Sequence, residues 1–127
     1  MSGAKKYSPN FFLSEMQCPC CETVKIHPGF IVLLEDLREE YNSPMAVTSG
    51  YRCEDHDREL KKGREGPYKR SVHCDGHAVD VRMVNAVQRY KLIKLAMKRN
   101  MRIGVYPSHV HLDNSGITPP VLWHGVY

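Results

Sequence analysis

Two rhythms of apolar residues run along the chain, one with helical steps of three and four and one alternating every second position, and each predicts a different element. After Pro28, the residues Phe30, Leu33, Leu34, Leu37 and Tyr41 recur at helical steps with Glu and Arg on the other face. This predicts an amphipathic helix, stopped by the Asn-Ser-Pro at 42–44. A second helix is predicted from Asn85, a side chain suited to an N-cap, to Asn100, with Val87, Tyr90, Ile93, Ala96 and Met97 on its inner side. Lys91, Lys94, Lys98 and Arg99 lie elsewhere, and the cations near its end suit the negative pole of the helix dipole. Short runs predict strands over 45–49, 77–83, 102–106, 109–113 and 121–127. The polar, glycine-containing segment 54–71 has no period and is predicted as a long surface loop, a kind more often functional than idle in a compact domain.

Strand alternation then sorts side chains by face. Val79 and Val81 suit a core, so Asp80 shares the opposite face with Ala78 and Arg82. In "SHVHLD" the same rule puts His109, His111 and Asp113 together, with Val110 and Leu112 opposite. If these two strands are sheet neighbours, Asp80 and His111 converge, and His73, in the turn before Gly76, swings over them. His77 falls on the other face from Asp80 and stays outside the group. Two His and one Asp fit a catalytic zinc, because three protein ligands leave the fourth tetrahedral position for water. Such a metal lowers the pKa of its water to about 7 and polarises a carbonyl, which is what amide hydrolysis at neutral pH requires. Each residue alone is more often a hydrogen-bonded or surface group; the joint spacing H-x6-D followed by H-x-H-x-D carries the reading.

A length of 127 residues with 42% hydrophobic content supports one domain with a core rather than two. No apolar run approaches 18 residues, and the basic start "MSGAKKYSPNFFLSEM" lacks the apolar stretch of an export signal. Synthesis in the cytoplasm without a signal peptide and no membrane insertion are therefore expected. The net charge of +4 is modest, with cations gathered at 58–70 and 91–102. These are either solvated faces or a surface that favours an anionic polymer such as a cell wall. No aromatic-basic interleaving accompanies them, so no nucleic-acid partner is expected. Five cysteines, an odd number without an export signal, argue for thiols or metal ligands over a disulfide framework. Cys18 and Cys21 form C-x-x-C, and Cys53 and His56 form C-x-x-H. Together they compose a candidate closed structural zinc site, the alternative being buried or free thiols; Cys74 has no assignable partner.

The segment "SVHCDGHAVDV" (71–81) matches the S-x-H-x-x-G-x-A-x-D signature of the M15 zinc peptidases, the family of D-Ala-D-Ala carboxypeptidases and phage endolysins that shares its fold with the hedgehog signalling domain. "VTSGYRC" (47–53) resembles the family's S-G-Y-R segment, and "IGVYPSHVHLD" (103–113) its closing metal-binding strand. The opening "FFLSEMQCPCC" is similar to a cysteine-containing start found in one branch. The resemblance implies an α+β fold, hedgehog/DD-peptidase-like, with a small mainly antiparallel sheet packed against two or three helices in one domain over 1–127. It implies Zn2+ held by His73, Asp80 and His111. Ser49, Arg52 and Tyr106 would face the substrate, Arg52 holding a carboxylate or carbonyl with its forked donors. Relatives often carry Asp or Glu three residues before the last ligand, where this chain has Ser108. Asp113 is then the favoured base, with His109 as the alternative base or as an oxyanion donor. The implied substrate is a peptidoglycan stem peptide, cut next to a D-amino acid by a D-Ala-D-Ala carboxypeptidase or an L-Ala-D-Glu endopeptidase. An endolysin reaching the wall after holin-type release, and acting as a monomer, is the expected setting. Ser108 keeps open a non-catalytic, zinc-containing hedgehog-like binding module.

Overall fold

The computed structural model describes residues 5–116 and 119–126. Two short antiparallel strands, β1 (Lys6–Ser8) and β2 (Phe11–Phe12), lead into one helical turn, α1 (Leu13–Met16), and then into α2 (Pro28–Tyr41). Strand β3 (Val47–Ser49) and helix α3 (Glu54–Leu60) precede a 3-10 turn at Val72–Asp75. Strand β4 (Ala78–Arg82), helix α4 (Ala86–Lys98) and strands β5 (Arg102–Val105), β6 (His109–Asp113) and β7 (Leu122–His124) complete the order.

The five-stranded sheet runs β3-β4-β6-β5-β7, antiparallel throughout except for the parallel β5–β7 pair, so the α+β, mainly antiparallel expectation holds. Of the strand predicted over 121–127, residues 122–124 are realised, and Tyr127 lies outside the described residues. Register places Asp80 directly opposite His111. Val79, Val81, Val110 and Leu112 turn the other way into a core shared with Leu34 and Leu37 of α2 and Leu92 and Ala96 of α4. One face of the sheet is thus packed by helices, and the other is left to carry polar groups.

Helix α2 follows its prediction: Pro28 sits in the first turn, the His27 ring accepts a hydrogen bond from the Gly29 N–H, and Asn42 ends it in a left-handed conformation. Helix α4 begins as predicted, with Asn85 accepting from the Gln88 N–H, but its buried face differs. Val87, Tyr90 and Met97 are exposed, and Leu92 and Ala96 are buried. Two half-buried arginines extend that face, Arg89 within the helix and Arg99 at its C-cap. Arg89 donates to the carbonyls of Met83 and Pro107, and Arg99 reaches Asp36 and Glu40 on α2. Because those guanidinium groups have partners, they occupy positions that a hydropathy pattern assigns to solvent.

The predicted 54–71 loop is also corrected, since it opens as α3. The Cys53 sulfur accepts from the His56 N–H, capping a helix that is too short and polar to show a period. Gly76 closes the 3-10 turn with φ of +73°, and a Cβ there would meet the Lys25 carbonyl oxygen.

Candidate functional site

The turn from Ser71 to Gly76 sets the first imidazole. The Ser71 hydroxyl accepts from the His73 N–H at 3.1 Å, and the residue is only 1% exposed. Its Nδ1–H donates to the Gly50 carbonyl at 2.8 Å; a carbonyl only accepts, so the proton sits on Nδ1 and the Nε2 lone pair faces Asp80 Oδ1 at 3.3 Å. Burial pushes the His73 pKa down and outweighs the pull of Asp80, keeping the ring neutral. Gly50 can sit there because it has no side chain: a Cβ would stand 2.7 Å from the Glu15 oxygen and the Met16 Cα of α1. The S-G-Y-R segment therefore docks the end of β3 on α1 and aims a carbonyl at His73.

Asp80 and His111 meet across the β4–β6 ladder, with His111 Nδ1 3.0 Å from Asp80 Oδ1. On the other side of the ring, Nε2–H donates to Asp113 Oδ2 at 2.7 Å. Asp113 is 1% exposed, and it also accepts from the Ser115 N–H and lies 3.7 Å from Arg102. Burial opposes charge on His111, but Asp113 and Asp80 outweigh it and raise its pKa. Burial would raise Asp80, yet His111 and His73 hold it well below the ordinary carboxylate range.

His73, Asp80 and His111 thus offer three donor atoms within 4.8 Å of one another, a group of three among the described residues. Two imidazole nitrogens and a carboxylate suit zinc, and three ligands are the number a catalytic site uses. The outer nitrogens of both rings are engaged, by Gly50 and by Asp113, which is how such sites fix the tautomer of a ligating imidazole. The residues present therefore fit the metal.

The group forms the floor of a cleft of about 380 Å3 whose walls include Arg52, Tyr106, His109 and Trp123. The His109 ring stacks on Tyr106 with centroids 4.6 Å apart, its Nδ1 lies 3.2 Å from the Ser108 hydroxyl, and its Nε2 is 3.9 Å from Asp80 Oδ2. Burial lowers its pKa. Trp123 donates from Nε1 to the Tyr106 hydroxyl at 3.0 Å and leans on His111 with ring centroids 5.5 Å apart. Gly104, opposite His111 in the ladder, leaves room for that indole: a Cβ would stand 2.6 Å from the ring. Arg52 is held through Nε by Asp57 at 3.4 Å. Asp57 is fully buried and also takes the Tyr68 hydroxyl at 2.7 Å, the Ser71 N–H at 3.2 Å and Lys61 at 3.1 Å. Burial would raise the Asp57 carboxyl, but these donors hold it below the usual range.

Among the residues singled out from sequence, Arg52, Tyr106 and His109 line the cleft with the three donors. Ser49 pairs with Asp80 in the ladder without forming a wall of the cleft. Asp113 stands behind His111, bonded to the ring nitrogen that faces away from Asp80, which suits an orienting role rather than that of a base. His77 stands apart, stacked on His27 at 4.5 Å and bonded to Asn114. Trp123 and Asp57 could not be placed at the site from the sequence. Trp123 is the single tryptophan and lies in a predicted strand, which was a usable signal; Asp57 had none.

Sulfur chemistry gathers elsewhere. Cys18, Cys21 and Cys53 come together as expected, but the fourth member is Cys20. His56 meets Cys53 through its backbone N–H rather than its ring, because it sits in the helical turn that Cys53 caps. Cys74 is buried away from the group.

The family model described as peptidase M15 matches residues 9–113 of the chain. No curated protein and no solved structure matches it.

Proposed function

The chain belongs to the peptidase M15 family and is a metallopeptidase of that kind, and from this premise we propose that it hydrolyses peptide bonds next to D-amino acids in peptidoglycan stem peptides, using zinc held by His73, Asp80 and His111. The observation that carries the reading is the convergence of His73 Nε2, Asp80 Oδ1 and His111 Nδ1 at the floor of an open cleft. Zinc bound there would make a water acidic and polarise the scissile carbonyl. The remaining steps belong to the chain's own side chains. Arg52, anchored through Nε on Asp57, presents its outer nitrogens to a substrate carboxylate. The His109 Nε2 takes a proton from the attacking water and returns it to the leaving amine, a role supported by its neutral state and its position beside Asp80 on the cleft side. Stacking on Tyr106 and the Ser108 hydroxyl at Nδ1 hold that ring in place. Asp113 orients His111.

In this reading the protein is a monomeric endolysin or wall-remodelling enzyme that reaches the wall when a membrane-disrupting partner admits it. No helix among the described residues is long and apolar enough to cross a membrane. Digestion of purified peptidoglycan by the zinc-loaded protein, with mass analysis of the products, tests the proposal. Loss of a terminal D-Ala marks a carboxypeptidase; a new L-Ala carboxyl end marks an endopeptidase. Failure to release any fragment at full zinc occupancy would overturn the enzymatic reading and leave a binding module.

A further inference from the structure

We propose that Cys18, Cys20, Cys21 and Cys53 form a second metal centre, a closed four-thiolate zinc site that pins the N-terminal segment to the start of α3. The four sulfurs lie within 4.8 Å of one another, with Cys20–Cys53 at 3.3 Å, Cys18–Cys20 at 3.5 Å and Cys18–Cys53 at 3.6 Å. Four thiolates around one zinc at about 2.3 Å stand about 3.8 Å from each other, by tetrahedral geometry. A disulfide needs about 2.05 Å, and all five cysteines are free.

The backbone builds the cluster. The Cys18 N–H donates to Thr23 O and the Glu22 N–H to Cys18 O, closing a turn in which Glu22 takes a left-handed φ of 58° and the three neighbouring cysteines face one point. The fourth arrives from another part of the fold, where Cys53 caps α3. Two backbone donors are aimed at sulfur: the Cys53 N–H at Cys18 Sγ, 3.5 Å away, and the His56 N–H at Cys53 Sγ, 3.4 Å away. Such bonds favour the charged thiolate, the form a metal takes, and they orient it as outer partners do in metal sites.

The chemistry is distinct from that of the cleft. Four soft sulfurs fill the tetrahedron and leave no position for water, so this centre is structural. Its consequence is nonetheless local to the cleft, because Cys53 follows Arg52 directly and caps the helix that carries Asp57. The inference does not depend on which bond the protein cuts.

The test uses the full-length reduced protein. Cys20 and Cys21 are exposed and Cys74 is buried outside the cluster, so alkylation by iodoacetamide, mapped by peptide mass, reads the cluster against an internal reference. Zinc is expected to slow modification of Cys20 and Cys21 by at least about tenfold, as mass action requires of a well-occupied site, with Cys74 unchanged. In the Co2+-loaded protein, a sulfur-to-metal charge-transfer band should persist in His73→Ala and His56→Ala and collapse in Cys20→Ser. Equal alkylation rates with and without zinc in the unmutated protein, or a Co2+ spectrum lacking the sulfur band, would overturn the proposal. A band that survives Cys20→Ser and disappears in His56→Ala would overturn the four-thiolate assignment in favour of the histidine.

Discussion

Replacing Asp113 by Asn separates two roles that this residue can be asked to play. The carboxylate is 1% exposed and accepts a charge-assisted bond of 2.7 Å from His111 Nε2–H. A hydrogen bond to a charged acceptor is worth about 1.5–3 kcal/mol against about 1 kcal/mol for a neutral one, so an amide oxygen in the same place loses about 0.5–2 kcal/mol. The loss falls on the tautomer and basicity of His111, and hence on the metal. At 1.36 kcal/mol per factor of ten it corresponds to about 2- to 30-fold weaker zinc binding, overlapping the range that removal of an outer partner of a ligating histidine produces. Zinc affinity is to be measured by competition with a chromogenic chelator, and turnover on peptidoglycan at saturating zinc. The expected result is weaker zinc with turnover restored once zinc is in excess. Unchanged zinc affinity together with a loss of about 100-fold in turnover, the contribution of a positioned acid or base, would refute the reasoning and make Asp113 the base.

His109→Gln should show the reverse pattern: zinc retained and turnover lower by about 100-fold, checked by metal analysis beside initial rates. Asp57→Asn should cost about 3 kcal/mol at neutral pH in urea unfolding, the low end for breaking a buried pair because Arg52 and Lys61 keep 13% and 21% exposure. Its folded pKa is depressed, so the stabilisation is present above the unfolded value of about 3.9 and disappears as pH falls through the folded value; the unmutated protein should lose its advantage over the variant in that acidic window. Gly104→Ala drives a Cβ into the Trp123 ring and should destabilise by about 1–3 kcal/mol, with KM raised and zinc retained. Dialysis against a strong chelator should abolish peptidoglycan hydrolysis, and zinc alone should restore it.

The polar face of the sheet was legible because strand alternation is a fixed geometric rule: Asp80, His109 and His111 could be placed on one face before their strands were known to pair. Helix α2 was legible because its buried residues are all apolar. Helix α4 was half legible, since its cap is a local signal while its inner face hides two arginines whose partners lie on α2 and in the loop before β6. Asp57 was not legible, because a carboxylate is buried only when distant donors, here Tyr68, Ser71, Lys61 and Arg52, arrive to satisfy it. The same limit applied to the cysteines. C-x-x-C spacing offered Cys18 and Cys21, but the turn at 18–22 also brings in Cys20, and α3 turns the His56 backbone, not its ring, toward Cys53. Asp113 was placed on the correct face, yet alternation could not say that the His111 ring would stand between it and Asp80.

Diffraction from zinc-loaded crystals on both sides of the zinc absorption edge would locate a zinc held by His73, Asp80 and His111 with Asp113 outside the ligand set. An anomalous peak is expected among His73 Nε2, Asp80 and His111 Nδ1, with Asp113 still on His111 Nε2. A peak lying instead between His111 Nε2 and Asp113, or no peak in the cleft of a protein that carries zinc elsewhere, would contradict that ligand set.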